Sequence, residues 1–384
     1  MLFYYGILAA LFWTGLAVAL TYYRRRIPFL ADVAPEPGTE AVALIIAIRN
    51  EEADLPGALD TLVRLRYPNL RILLVNDRST DGTGAILADY AQRYPQLQVR
   101  TIAELPAGWL GKNHALYEGY RASSEEWILF ADADIQFAPD TLLQALTWSR
   151  RHRLDHLTLL PYVRSRSEAL NALLSTFATM LEMRQRPWAV RDPKSSATIG
   201  VGAFNLVRRS AYERAGTHKA LALRPDDDLQ LGARIKASGG RCDALYGRGA
   251  IALEWYDSVG AFVDGLMKNM FSVYNYRLPL LLVAGVLPTL LFLVLPLPLL
   301  VLFGGPREWI LAALVLLGQL GAVGTGRGKY SRLGHGLLVP AAGAVLVWVM
   351  LRAAVTNLAQ GGIWWRGHFY PLSELRADKG EKNW

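Results

Sequence analysis

Charge is distributed unevenly along this chain, and the gaps in it are long. No Asp, Glu, Lys or Arg occurs from Leu2 to Tyr23, from Leu278 to Phe303, from Trp309 to Thr325 or from Gly336 to Leu351. A helix over the first run is about 33 Å long, enough to cross a bilayer core of about 30 Å. Between these ends the pattern changes to short apolar runs alternating with amphipathic segments. Val42–Ile48 is continuously apolar and β-rich, the mark of a buried parallel strand. Asn50-Glu51-Glu52 follows, and then a helical face of Leu55, Leu59, Leu62 and Leu65. Further strands are expected at Arg71–Val75, Gln98–Ile102 and Trp127–Ala131, with helices at Gly84–Tyr94 and Lys112–Ala122. Such alternation predicts an α/β domain with a doubly wound sheet, whose ligands lie beyond the carboxyl ends of the strands. Past residue 150 the pattern is less regular. Glu168–Met183 carries Leu170, Leu173, Leu174, Phe177 and Leu181 at helical spacing, bounded by Pro187. It reads either as a core-packing helix or as one lying on a membrane surface beside a lipid.

Composition and charge orient this picture. Hydrophobic residues make up 52% of the chain and charged residues 19%, too apolar for an ordinary soluble protein. Arg24-Arg25-Arg26 follows the first apolar run instead of preceding it, which argues against a cleaved signal peptide and for a cytoplasmic stop. Lys268 and Arg277, and then Arg327, Lys329 and Arg332, belong inside by the same rule, so the central domain is expected in the cytoplasm. The net charge of +8 is then juxtamembrane. No basic, aromatic-interleaved stripe marks a nucleic-acid partner. Cys242 stands alone and fits a reducing compartment. The expected organisation is a membrane helix over 1–26, a soluble domain over 40–275, a membrane cluster over 278–356 and an interfacial tail over 357–384. Four full crossings would put that tail outside, although Arg366, Arg376, Lys379 and Lys382 favour the inside. Pro279, Pro288, Pro296 and Pro298 allow the alternative, a broken or re-entrant segment that returns the tail to the cytoplasm.

Acidic motifs carry the chemistry, and each falls at a predicted strand end or helix start. Val75-Asn76-Asp77-Arg78-Ser79-Thr80-Asp81-Gly82-Thr83 runs from a strand into an acidic turn. Asp77 there suits a nucleobase N–H or ribose hydroxyls, although Asp81-Gly82 alone reads equally as a turn or cap. Phe130-Ala131-Asp132-Ala133-Asp134 ends an apolar strand with carboxylates at i and i+2. Together Asp132 and Asp134 suit a hard divalent cation that also takes diphosphate oxygens and neutralises a leaving group. Pro225-Asp226-Asp227-Asp228-Leu229-Gln230-Leu231-Gly232 packs carboxylates together, so that one of them suits a general base. A plain acidic helix N-terminus explains the same residues, and the two readings are compatible.

In this order the motifs resemble the family 2 glycosyltransferases, inverting enzymes of the nucleotide-diphospho-sugar transferase (GT-A, Rossmann-like) fold. The likeness runs over about residues 42 to 275. It implies that Ile48-Arg49-Asn50-Glu51-Glu52 is the first nucleotide loop, with Glu51 toward the ribose and Asp77 at the base. It makes Lys112 of Gly111-Lys112-Asn113-His114-Ala115-Leu116 the donor-site lysine, and Asp132 and Asp134 the binders of Mg²⁺ or Mn²⁺. Asp228 becomes the base, and Gly200-Val201-Gly202-Ala203-Phe204 the acceptor side. Two departures stand out. Asp227 replaces the usual Glu of the E-D pair, so the base could be one residue earlier. Lys268-Asn269-Met270-Phe271-Ser272 stands where processive synthases carry Q-x-x-R-W. The layout resembles the branch that glycosylates membrane lipids such as ceramide, hopanoids and carotenoids. It implies transfer from a UDP-sugar to a lipid hydroxyl, in a bacterial inner membrane. A polyprenyl-phosphate sugar transferase, a polysaccharide synthase and an inactive membrane scaffold are the alternatives. Gly361-Gly362-Ile363-Trp364-Trp365-Arg366-Gly367 reads as an interfacial anchor or as a flap over the acceptor.

Overall fold

A computed structural model describes residues 1–380 of the chain. Lys382 of the basic tail lies outside the described residues, as do the side chains of Lys268 and Lys379. The chain divides into two compact units, one of Ile27–Val163 and Gln185–Leu253, the other of Met1–Arg26, Arg164–Arg184 and the residues from Glu254 on.

The first of these is a layered α/β unit. Its seven-stranded sheet runs, edge to edge, Leu97–Ile102, Leu70–Asp77, Val42–Ile48, Trp127–Ala131, Asn205–Arg208, His156–Leu160 and Cys242–Tyr246. Val42–Ile48 is buried almost throughout because helices cover both faces. Leu44 and Ile46 pack toward Leu55, Leu59 and Leu87, while Ala43 and Ile45 pack toward Ala115, Leu116 and Tyr212. Parallel register aligns the strand ends: Ile48 lies opposite Asn76, and Ile46 opposite Ala131. The residues that follow each strand, from Arg49, from Asp77 and from Asp132, therefore emerge side by side. Asn205–Arg208 departs from the expected doubly wound pattern. It runs antiparallel to Trp127–Ala131 and to His156–Leu160, with Phe130 opposite Asn205. This reversal brings the segment just before Asn205 up to the end of the Asp132 strand, and the backbone N–H of Asp132 donates to the carbonyl of Gly202 at 3.0 Å.

Among its described residues the second unit contains two helices long and apolar enough to cross a membrane, Leu2–Arg24 and Leu333–Gln360. The apolar run from Leu278 is not a simple span. Its helix widens into π turns at Leu282–Val286 and Leu290–Val294, and with Val259–Tyr274 it forms a pair bent by 105°. Pro288 sits between the widened turns; proline lacks an N–H and crowds the carbonyl one turn back, and an extra residue per turn relieves both. Pro306–Ala322 is 17 residues long, about 26 Å of helix. It packs on Leu2–Arg24 so closely that a Cβ at Gly318 would lie 2.5 Å from the backbone of Trp13. Such small-residue contacts are how apolar helices associate.

Helix Glu168–Gln185 belongs with these segments up to Arg184, and its hidden face is polar as well as apolar: Asn171, Ser175, Thr176, Thr179 and Glu182 are buried beside Leu170, Leu173 and Leu174. Arg24, 2% exposed, donates to Glu182 Oε2 at 2.6 and 3.0 Å and to the carbonyl of Ala322 at 2.7 Å. Lys329 Nζ donates to the carbonyl of Ser175 at 2.5 Å and to Thr179 Oγ1. After Gln360 comes a hairpin, Gly362–Trp365 paired with His368–Pro371. Its turn residues, Arg366 and Gly367, both have positive φ, the geometry that matches strand twist in a tight hairpin. Trp364 pairs with Phe369 on the exposed side, and Ile363 with Tyr370 on the buried side.

Candidate active site

Three chain regions meet at the strand ends of the α/β unit. Lys112 enters from the first turn of helix Gly111–Arg121, and its Nζ donates to Asp132 Oδ1 at 2.7 Å. Asp227 and Asp228 open helix Asp227–Ala237, and Lys112 Nζ lies 3.9 Å from Asp227 Oδ2. The backbone N–H of Gly202 donates to Asp228 Oδ2 at 2.8 Å, and that of Leu229 to Oδ1 at 2.8 Å. Lys112, Asp132, Gly202, Asp227 and Asp228 line one small cleft together with His218 and Asn205.

Glycine allows the close approach. A Cβ at Gly202 would sit 2.5 Å from Asp132 Oδ2, and one at Gly200 would run into the carbonyl of Asp228. Gly200 is buried, and Phe204 is wholly so, its ring near Phe137 and its carbonyl accepting from Thr158 Oγ1 at 2.8 Å. Of the expected acceptor-side residues, Gly202 alone faces the cleft, while Gly200 and Phe204 hold it from below.

The charges are arranged in opposition. Burial works against the charge on Lys112, but Asp132, Asp227 and Asp228 outweigh it and raise the ammonium above an ordinary lysine. Burial pushes Asp227 up to about 7, with Lys112 opposing and the neighbouring carboxylates adding. Asp228 is raised for the same reasons. Asp134 is raised to about 6, first by burial and then by Asp132 and Glu51. A group of carboxylates short of positive charge suits a divalent cation. Among the described residues no three His, Cys, Asp or Glu side chains converge on one point. Asp132 and Asp134 fit a cation that takes its remaining oxygens from a diphosphate and water, as Mg²⁺ does.

Asp77 and Glu51 lie apart from that cleft. Asp77 is 2% exposed and gripped by Arg78, whose Nε and terminal nitrogen donate at 2.7 and 2.9 Å, with Arg49 at 3.7 Å. A Cβ at Gly111 would strike Asp77 and Arg78, so this pair abuts the start of the helix that carries Lys112. The backbone N–H of Glu51 donates to Thr83 Oγ1 at 2.9 Å, tying the first loop to the acidic turn. Sequence reasoning missed His218, which sits in no motif, and Asn205, whose Oδ1 accepts from the N–H of Val201 at 3.3 Å and lies 3.0 Å from His156 Nε2. It also missed the work of Gly232, where any Cβ would meet Ile199 and Gly200. Glycine in the first turns of a helix was the available signal.

A Rossmann-like sheet whose strand ends gather a lysine and clustered carboxylates has the GT-A architecture of nucleotide-sugar transferases. Residues 43–216 match the model of glycosyl transferase family 2. Over 198 residues, 50% of this chain, the protein is 29% identical to a beta-monoglucosyldiacylglycerol synthase of Nostoc sp., covering 41% of that protein. It is 23% identical to a 4,4'-diaponeurosporenoate glycosyltransferase of Staphylococcus aureus, over 65% of each chain. A poly-beta-1,6-N-acetyl-D-glucosamine synthase of Staphylococcus epidermidis is also 23% identical, over 56% of this chain and 51% of that one. The chain thus spans about half the length of the curated relatives it matches. A mannosyltransferase of Pyrobaculum calidifontis, solved with GDP-Man and Mn²⁺, shares the fold at a TM-score of 0.53 and 19% identity, over 94% of this chain and 99% of that one.

Proposed function

We propose that this chain moves a sugar, with inversion, from a nucleotide-diphospho-sugar, a UDP-sugar, to a hydroxyl of a membrane lipid. The observation that carries the reading is the cleft in which Lys112, Asp132, Asp227 and Asp228 meet around the N–H of Gly202. Asp228 is the base. It is the less buried of the pair, and its oxygens are held by backbone N–H groups that leave acceptor capacity toward the cleft. It takes the acceptor's hydroxyl proton as that oxygen bonds to the anomeric carbon, and the bond from that carbon to the diphosphate oxygen breaks. Lys112 holds the leaving diphosphate by charge. Asp132 and Asp134 would hold Mg²⁺ or Mn²⁺, which when bound would neutralise the same group. Glu51 and Asp77 orient the nucleoside, Asp77 through the arginines that grip it. Lipid acceptors in the names of two relatives, glucosyldiacylglycerol and diaponeurosporenoate, support the acceptor class. The apolar helices support membrane attachment, with the α/β unit on the cytoplasmic face of a bacterial inner membrane.

The polymer-forming relative keeps a second reading in view, but the sequence at Lys268–Ser272 lacks the block expected of a processive synthase. Removing a general base typically costs 10²–10⁴-fold. Asp228→Asn should lose that much rate with donor affinity nearly unchanged, measured by transfer from UDP-glucose to lipid vesicles. A harmless Asp228→Asn with a crippling Asp227→Asn moves the base by one residue, and little loss from either favours a phosphate acceptor. Mass spectrometry of total lipids from cells with and without the protein should show a hexose-sized increment; its appearance on polymer instead overturns the acceptor class.

A further inference from the structure

Beside its carboxylates the cleft contains a buried imidazole. His218 is 1% exposed and stands at the back of the cleft, its ring edge-on to Phe130 at 4.8 Å between centroids. Its surroundings settle which nitrogen carries the proton. The backbone N–H of His218 donates to the hydroxyl of Tyr212 at 2.9 Å, and that hydroxyl lies 2.6 Å from His218 Nδ1. Tyr212 is fully buried, so its own O–H proton needs an acceptor, and Nδ1 is within reach to be one. A buried hydroxyl that gave its proton nowhere would be costly. Tyr212 therefore donates to Nδ1, and the single proton of the neutral ring sits on Nε2. The ring is neutral because burial and the Lys112 ammonium hold it down to about 3.

Nε2 lies 4.0 Å from Asp227 Oδ2, the same oxygen that Lys112 approaches to 3.9 Å. Neither distance is a hydrogen bond, so the oxygen stands between two donors, each about 1 Å short of contact. Hydrogen bonds in active sites are commonly long before substrate binds. Lys112 is already paired with Asp132, and an anionic diphosphate would draw it further from Asp227. His218 N–H is then the donor that remains on this side of Asp227.

We propose that His218, locked by Tyr212 as the Nε2–H tautomer, is a positioning residue that fixes the Asp227 carboxylate beside Asp228. It touches no reacting atom; it decides where Asp227 points once Lys112 has turned to the donor. This rests on the reading of the cleft given above. Deleting a hydrogen bond to a carboxylate of this kind costs roughly ten- to hundredfold in rate.

The test uses the full chain in detergent with ¹⁵N-labelled histidine, the His218 resonances being identified by their loss in His218→Gln. The wild type should show a protonated Nε2 and an unprotonated Nδ1. Asp227→Asn should shift the Nε2 resonance, and Asp228→Asn should leave it in place. A protonated Nδ1, or an Nε2 signal indifferent to Asp227→Asn, overturns the proposal whatever the protein's substrate. In transfer from UDP-glucose to diacylglycerol-containing vesicles, His218→Leu should lose roughly ten- to hundredfold in kcat at unchanged donor KM. His218→Gln, whose amide N–H reaches the same place, should recover most of that loss. Full activity in a folded His218→Leu also overturns the proposal. If the wild type itself transfers nothing, the substrate reading fails, and the resonances still decide the role of His218.

Discussion

Single buried side chains set the behaviour of the α/β unit toward acid. His156 is wholly buried on strand His156–Leu160, with Nε2 3.0 Å from Asn205 Oδ1, and burial lowers it to about 4. In the unfolded chain the same ring titrates near 6.5. Below that value the unfolded chain binds a proton that the folded one refuses, so stability falls as pH drops from about 6.5 toward 4. Unfolding of the purified chain, followed between pH 7 and 4.5, should show this loss, and His156→Gln should reduce it. An acid limb unchanged by that substitution would assign the loss to other groups. The same scale shows what could be read from residue types alone. Asp132 and Asp227 were legible as candidates because they stand at the end of an apolar strand and at the start of a helix, within acidic motifs. Lys112 was legible through its place in the motif that carries the family resemblance. Tyr212 and His218 were not, since their meaning lies in a contact between a helix and the loop after it. Nor was the grip of Arg78 and Arg49 on Asp77, which requires the strand ends to be brought together first.

Elements matter through how near they come. Segment Ile199–Gly202 lies on the first turns of helix Asp227–Ala237, backbone against backbone, with glycine on both sides of the contact. In a solvent-facing helix, Gly232→Ala would stabilise by about 1 kcal/mol through propensity alone. Here the added methyl would lie 2.7 Å from the carbonyl carbon of Ile199, and the helix and segment must separate. We expect a net loss of about 1–3 kcal/mol, the usual cost of overpacking. Activity should fall with it, because Asp228 is bonded to the Gly202 N–H across that contact. Denaturant unfolding and transfer assays on one preparation test this; a stabilised, fully active variant would show that the contact yields. Strands Val42–Ile48, Leu70–Asp77 and Trp127–Ala131 were plain in the sequence, as continuous apolar runs with charged ends. Asn205–Arg208 was not. Four residues following a glycine-rich loop carry too little periodicity to reveal a strand, and nothing local tells that it runs antiparallel.

At the scale of the molecule, the open question is how many of the apolar segments cross a bilayer. The bent pair built from Val259–Tyr274 and Leu278–Val294 has the geometry of a broken span or a re-entrant loop; a re-entrant loop, with Pro306–Ala322 and Leu333–Gln360 both crossing, would return the hairpin and the helix after it to the inner side. With Cys242 replaced by Ser, single cysteines at Ser79, Ser331 and Ser373 report the arrangement through an impermeant reagent on intact cells: with a re-entrant bent pair, Ser331 alone should be labelled, because Leu333–Gln360 separates it from Ser373. Labelling at Ser79 would reverse the orientation, and labelling at Ser373 alone would establish four full crossings.

The pairing of Arg24 with Glu182 and Ala322 has a consequence in time. Glu182 is made 158 residues after Arg24 and Ala322 298 residues after it. At 5–20 residues per second, the interval to Ala322 is roughly 15 to 60 s. Throughout it, helix Leu2–Arg24 lacks the Pro306–Ala322 surface it packs against, and for the first 158 residues its arginine lacks Glu182 as well. A newly made first helix must therefore hold its place by hydrophobicity alone, with the Arg24 head kept in water at the membrane edge. The guanidinium is drawn fully under cover only after Ala322 has been made. The burial of that arginine thus waits on Ala322: a chain that stalls before it displays a charge that the folded protein hides.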